Sequence, residues 1–242
     1  MHRLLLLMML LNTVFGQKLI FYHIPKTGGS SITNLLDRQF RPELICRDDF
    51  YYQIELKKDA ELAKYDFFRG HFFYSTKLKD INAFRCVFLR EPVSRILSEQ
   101  RFYLKQYTYP GGLYNLSKEH ANQYGDPIKV ISNNQVMWLS TFHRDDPLVT
   151  MERHFESAKE TLNKYMDFVG IFEDFENSVF GLFKALGFDR PNTIPHLQTV
   201  DISYHLTESQ IEEIKHRNAF DIQLYEYAKE LYLSKYKMLS AN

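Results

Sequence analysis

The chain has 242 residues, enough for one sizeable α/β domain and too few for two. Its 30 basic residues balance 30 acidic ones, so the formal charge is +0; this excludes a general polyanion or nucleic-acid binder and confines any acidic partner to a local patch. Hydrophobic usage of 45% is ordinary for a globular protein, 20 Phe and 16 Tyr imply a ring-rich core, and two cysteines exclude a disulfide framework.

Met1-His2-Arg3 is followed by an apolar run, Leu4 to Phe15, broken only by Asn12 and Thr13. A bilayer span needs about 20 apolar residues. The run is shorter and reads as a signal-peptide core, a short anchor, or an extension packed on the domain. The expected division is therefore residues 1–17 as a targeting segment or extension and 18–242 as one domain. Secretory-pathway or Golgi targeting is expected, with membrane association through residues 4–15. A bacterial source would make the cytoplasm the alternative.

Leu19, Ile20, Phe21 and Tyr22 predict a strand, and Pro25-Lys26-Thr27-Gly28-Gly29-Ser30-Ser31 follows it. Ile32, Leu35, Leu36 and Phe40 then recur at helical spacing. A strand, tight loop and helix of this make-up holds an anion: glycine lets the backbone approach a ligand, and the first helical N–H groups lack internal partners. The helix dipole favours negative charge there. Lys26 adds a full charge, while Thr27, Ser30 and Ser31 add hydroxyl donors. A Walker A loop places its lysine after the last glycine; here Lys26 precedes the pair.

Residues 41–59 read as a polar connection, with Cys46 in it and a little helix around Leu56–Lys64. Phe67 and Phe68 predict a short buried strand that Gly70 breaks before His71. The apolar run Ala83–Leu89, which contains Cys86, predicts a parallel strand covered on both faces. It ends at Arg90-Glu91-Pro92, and Pro92 suits the first position of a helix carrying Val93, Ile96, Leu97 and Leu104. Thr108 to Gly125 is the clearest loop, and Asn115-Leu116-Ser117 within it is a glycosylation sequon. Helices are predicted over Pro127–Leu139 and Met151–Tyr165, then a strand over Asp167–Ile171. Another helix runs over Phe175–Leu186, closed by Gly187. Thr207 and Gln210 form a capping box that opens a helix to Phe220, followed by one over Asp221–Met238. This alternation predicts an α/β fold, a parallel sheet with helices on both faces.

Pro25 to Ser31 resembles the 5′-phosphosulfate loop of the sulfotransferases, most closely the branch that sulfates polysaccharides, such as the heparan sulfate 2-O- and 6-O-sulfotransferases. The resemblance implies a P-loop-like three-layer fold and 3′-phosphoadenosine 5′-phosphosulfate (PAPS) as cofactor. It implies that Lys26, Thr27, Gly28, Gly29, Ser30 and Ser31 hold the 5′-phosphosulfate. Leu89 to Glu99 resembles the family's 3′-phosphate site, which matches Arg90 and Ser98. A guanidinium at a strand's carboxyl edge suits a phosphate, because its planar fork donates two parallel hydrogen bonds. Sulfuryl transfer to a hydroxyl needs a base, and His71 between the two motifs is the candidate. His23 is the rival, expected to support the loop. Lys26 would steady the departing oxygen. Arg101 and Lys105 share a face with Ser98, and Arg95 could extend this strip toward an anionic glycan acceptor. Asn133-Asn134-Gln135, with Trp138 on the same helix, resembles the N-N-R-Q segment of the 6-O-sulfotransferases without its arginine, and Trp138 is a candidate acceptor contact. The stretch from Ile211 to Tyr236 resembles the C-terminal helices of those enzymes. No metal is expected. The other readings are a P-loop-type phosphotransferase, which would need an aspartate ending an apolar strand, and a nucleotide-binding module without catalysis.

Overall fold

The computed structural model describes residues 17–48, 50–108, 132–197 and 205–236, with side chains to residue 105 in the second stretch. The apolar run Leu4 to Phe15, residues 109–125 of the expected loop and its sequon lie outside them; Thr108, expected to open that loop, ends a helix instead. Among the described residues no helix is long and apolar enough to cross a membrane.

Five parallel strands make one sheet: β1 Lys18–Tyr22, β2 Ile45–Cys46, β3 Phe67–Gly70, β4 Ala83–Leu89 and β5 Phe168–Ile171. Their order is β2-β3-β1-β4-β5. The register aligns Tyr22 with Gly70 on one side and Val87 on the other, so the loops after β1, β3 and β4 leave the same edge. The chain fills one side of β1 before crossing to the other, which opens a crevice outside the carboxyl ends of the strands.

Period-two alternation divides each strand between two cores. Ile20, Tyr22, Phe68, Val87, Leu89 and Val169 pack with the C-terminal helices on one face. Leu19, Phe21, Phe67, Cys86, Phe88 and Phe168 pack on the other. Burial on both faces explains why the strands are nearly continuous apolar runs.

The helices are α1 Gly29–Leu36, α2 Tyr51–Leu56, α3 Asp59–Leu62, α4 Pro92–Thr108, α5 Asn134–Leu139, α6 Met151–Glu160, α7 Phe175–Ala185, α8 Glu208–Arg217 and α9 Ala219–Leu231. The expected Met151–Tyr165 helix is α6 with a π-helical turn over Thr161–Tyr165. Gly187 closes α7 at a left-handed φ of 70°. The Thr207–Gln210 capping box is present, with both side chains bonded to the partner's backbone. The break before α9 falls at Asn218, two residues earlier than expected. α5 is shorter than predicted where it is described, because Asn133 is left-handed at φ 50° and starts it afresh.

The 41–59 connection differs most from expectation. Ile45 and Cys46 form edge strand β2 against Phe67 and Phe68, and Cys46 is a buried free thiol. Helix α2 also occupies residues expected to be irregular, and the little helix expected at Leu56–Lys64 is only α3. A two-residue strand is too short to show periodicity, and α2 points aromatic rings outward, which masks its polar face.

Candidate active site

The loop between β1 and α1 is closed from within. Thr27 Oγ1 donates to the Ile24 carbonyl at 2.9 Å, and Lys26 and Gly28 adopt left-handed φ values of 71° and 85°. A Cβ on Gly28 would come within 2.6 Å of the Phe175 ring, and one on Gly29 within 1.9 Å of the His23 ring. Both glycines are therefore dictated by packing beneath the loop. No side chain caps α1 and its first turn holds no acid. The neighbouring α4 differs: the Glu91 carboxylate accepts from the Val93 and Ser94 amides at 3.0 and 2.7 Å. Of these two helix N-termini, α4 is capped by a carboxylate and α1 by no side chain.

Arg90 leaves β4 beside this loop. Its Nη1 donates to the Lys26 carbonyl at 3.2 Å, and its guanidinium lies 4.1 Å from the centroid of the Phe172 ring. Its Nε is buried with no hydrogen-bond partner among the described residues. Gln135 grips its backbone as a neighbouring strand would, accepting from the N–H at 3.0 Å and donating to the carbonyl at 2.8 Å. Lys26 Nζ lies 4.1 Å from the centroid of Phe102 on α4. Ser98, one turn before Phe102 and partly exposed, shares that face. The loop and the Arg90 edge thus adjoin.

His71 follows Gly70 at the same edge. Its Nδ1 lies 2.9 Å from the His23 carbonyl. A carbonyl only accepts, so Nδ1 carries the proton and Nε2 is the basic nitrogen of the neutral ring. The His71 ring is 4.4 Å from the His23 ring, which in turn fills the space beside Gly29. Burial above all, then the charges of His71, Lys26 and Arg69, hold His23 well below the usual imidazole pKa. His23 is therefore a neutral wedge between His71 and the loop, as the sequence suggested.

Beyond this geometry, the model of the Sulfotransferase family matches residues 13–232. The chain belongs to the sulfotransferase family. A solved structure, a sulfotransferase from Alicyclobacillus acidocaldarius, is similar with a TM-score of 0.51 and 17% identity, covering 87% of this chain and 94% of the other. It supports the three-layer α/β fold. No curated protein matches the chain.

The electrostatics of this edge follow from burial. Lys26 is pulled down to about 8, chiefly by desolvation, against the opposing pull of Glu99. Arg90 is also lowered, again by burial first. Arg101 and Lys105 are partly exposed on α4. Arg95 does not join their strip. It is fully buried and ion-paired with Glu99 at 2.8 Å, because its position on α4 faces the core. Trp138 is nearly buried, stacked on Phe73 at 4.3 Å between centroids, and its ring centroid is 5.9 Å from that of His71 at a steep angle. It packs behind His71 rather than standing open to solvent. Among the described residues no group of His, Cys, Asp or Glu is arranged to hold a metal.

Asn133-Asn134-Gln135 is a clamp between helices. Asn133 Oδ1 accepts from the Phe220 and Asp221 amides, and the Asp221 carboxylate accepts from the Gln135 and Val136 amides at 3.0 and 2.8 Å. Each helix thereby caps the other. Sequence reasoning missed this clamp and the rings of Phe102 and Phe172 under the two cations. Only Glu91, acidic and just before a helix-starting proline, left a readable signal.

Proposed function

We propose that this sulfotransferase moves a sulfuryl group from PAPS to a hydroxyl of a polysaccharide, with His71 as the base. The observation that carries the reading is the contact of Arg90 with the Lys26 carbonyl, beside an uncapped helix N-terminus and within reach of the His23–His71 pair. An anionic nucleotide fits: the buried Nε of Arg90 has no hydrogen-bond partner among the described residues, and no side chain caps the amides at the start of α1. PAPS would supply the activated sulfuryl group.

In this reading Lys26, Gly28, Gly29 and Ser30 hold the 5′-phosphosulfate. Thr27 contributes its backbone, since its hydroxyl proton is committed to Ile24. Ser31 accepts from the Leu197 amide and keeps its own proton to donate. Arg90 and Ser98 take the 3′-phosphate. His71 Nε2 accepts the acceptor hydroxyl's proton, while Nδ1 stays anchored to His23. Lys26 balances charge on the departing phosphate oxygen. Arg101 and Lys105 meet acidic groups of the acceptor, and Trp138 backs the base.

The test is transfer of labelled sulfate from PAPS to a glycan panel, with binding of the product nucleotide 3′,5′-diphosphoadenosine (PAP) measured alongside. His71→Ala should lower transfer on the order of a hundred- to ten-thousandfold with PAP affinity retained. Lys26→Ala should impair both. Unchanged transfer in both variants removes the mechanism. PAP binding without transfer to any acceptor returns the chain to a binding module.

A further inference from the structure

Large apolar side chains exposed to solvent cluster beside His71. Phe50 and Tyr51 are each 39% exposed and Tyr52 is 52% exposed, all at the start of α2. The Phe50 and Tyr52 rings lie 5.7 Å apart and within 7° of parallel, stacked on one another, so together they form one partly exposed aromatic surface. That surface continues from the proposed base. The Phe50 ring is 6.2 Å from the His71 ring, and the two backbones share a parallel β-bridge. Tyr51 holds the strip down from below, edge-on to Phe73 at 5.0 Å, and Phe73 stacks on Trp138.

Asp48 is paired with Lys57 at 3.2 Å, and the Glu55 carboxylate accepts from the Lys77 amide. Arg47 is exposed where β2 ends, at the same edge as His71, and makes no ion pair among the described residues. Flat aromatic faces attract the C–H face of a sugar ring by dispersion and desolvation, and tyrosine hydroxyls at the rim can bond ring hydroxyls. A small phenolic substrate would instead call for an enclosed apolar pocket.

We propose that Phe50 and Tyr52 form an acceptor subsite that stacks a pyranose ring of an anionic oligosaccharide, with Arg47 meeting its carboxylate or sulfate. This inference rests on the glycan reading of the site and narrows it. The acceptor is a chain of at least two sugars: one presents its hydroxyl to His71 and the next lies on the aromatic strip.

The experiment measures binding of a heparosan octasaccharide, a neutral maltooligosaccharide and p-nitrophenol to the full chain by calorimetry. Fluorescence of Trp138, the one tryptophan, is followed in parallel. Tyr52→Ala should weaken heparosan binding about tenfold, equivalent to about 1.4 kcal/mol, and Tyr52→Phe should restore it. Arg47→Ala should weaken heparosan but leave the neutral oligosaccharide unchanged. PAP affinity and the melting temperature should not move, because these side chains are exposed at the surface. Heparosan binding that Tyr52→Ala leaves intact overturns the proposal. So does a wild-type protein that binds p-nitrophenol, or nothing in the panel, in place of the oligosaccharides. Failure of the wider reading would look different: loss of PAP binding or of sulfate transfer in the wild type.

Discussion

Lys26 is a half-buried cation whose pKa, lowered to about 8 chiefly by desolvation, has two consequences. Its folded pKa lies below the ordinary lysine value, so burial costs stability below about pH 8. That cost is relieved as pH rises toward the unfolded pKa. An anion in the loop keeps the proton on, so binding above pH 8 must take one up. PAP affinity should therefore fall between pH 8 and 10, by up to about tenfold per unit. Lys26→Arg should flatten the slope; an unchanged slope would take Lys26 out of the anion site. Gly29 gives a second prediction at this scale. A methyl there would meet the His23 ring at 1.9 Å. Gly29→Ala should cost about 1–3 kcal/mol, read as a lower melting temperature, and should abolish PAP binding. The glycine pair was legible in the sequence as the tight turn between β1 and α1. That Gly29 must also clear an imidazole was not, because His23 reaches it only after the chain turns at Pro25.

At the scale of elements, the reciprocal cap between α5 and α9 holds Gln135 against the Arg90 backbone. Asp221 sits at its centre, fully buried, with its carboxyl pushed up to about 6 by desolvation against the pull of Arg95. A folded pKa above the unfolded one means the native state binds the extra proton. This group's contribution to stability is present below about pH 4 and lost as pH rises through about 6. The span corresponds to an order of 2–3 kcal/mol. Asp221→Asn should flatten that part of the pH–stability profile, measured by urea unfolding. Asp221→Ala leaves two helix amides without a cap, so it should cost about 1–2 kcal/mol and weaken PAP binding through Arg90. Restored PAP affinity in Asp221→Asn but not in Asp221→Ala would mark positioning rather than bulk stability. The long elements were readable because apolar residues repeat at a fixed period over several turns or along a whole strand. β2 and the onset of α2 escaped because neither is long enough to repeat.

For the molecule as a whole, a nucleotide gripped by the loop after β1 and the edge after β4 would tie the two sides of the sheet together. PAP at a hundred times its Kd should add about 2.7 kcal/mol, raising the melting temperature by about 5–10 °C for a chain of this size. Lys26→Ala and Arg90→Ala should each remove most of the shift. A full shift in both would place the nucleotide elsewhere. Local patterning determined the parallel sheet, the glycine loop at its first turn and the arginine at the end of β4, since propensity, periodicity and turn chemistry act over a few neighbouring residues. Only the tertiary structure decided that Arg95 turns into the core, that Arg90 touches the Lys26 carbonyl, and that His71 meets the His23 carbonyl through Nδ1. Those depend on side chains brought together across the sheet, and the buried space they share is created by the fold.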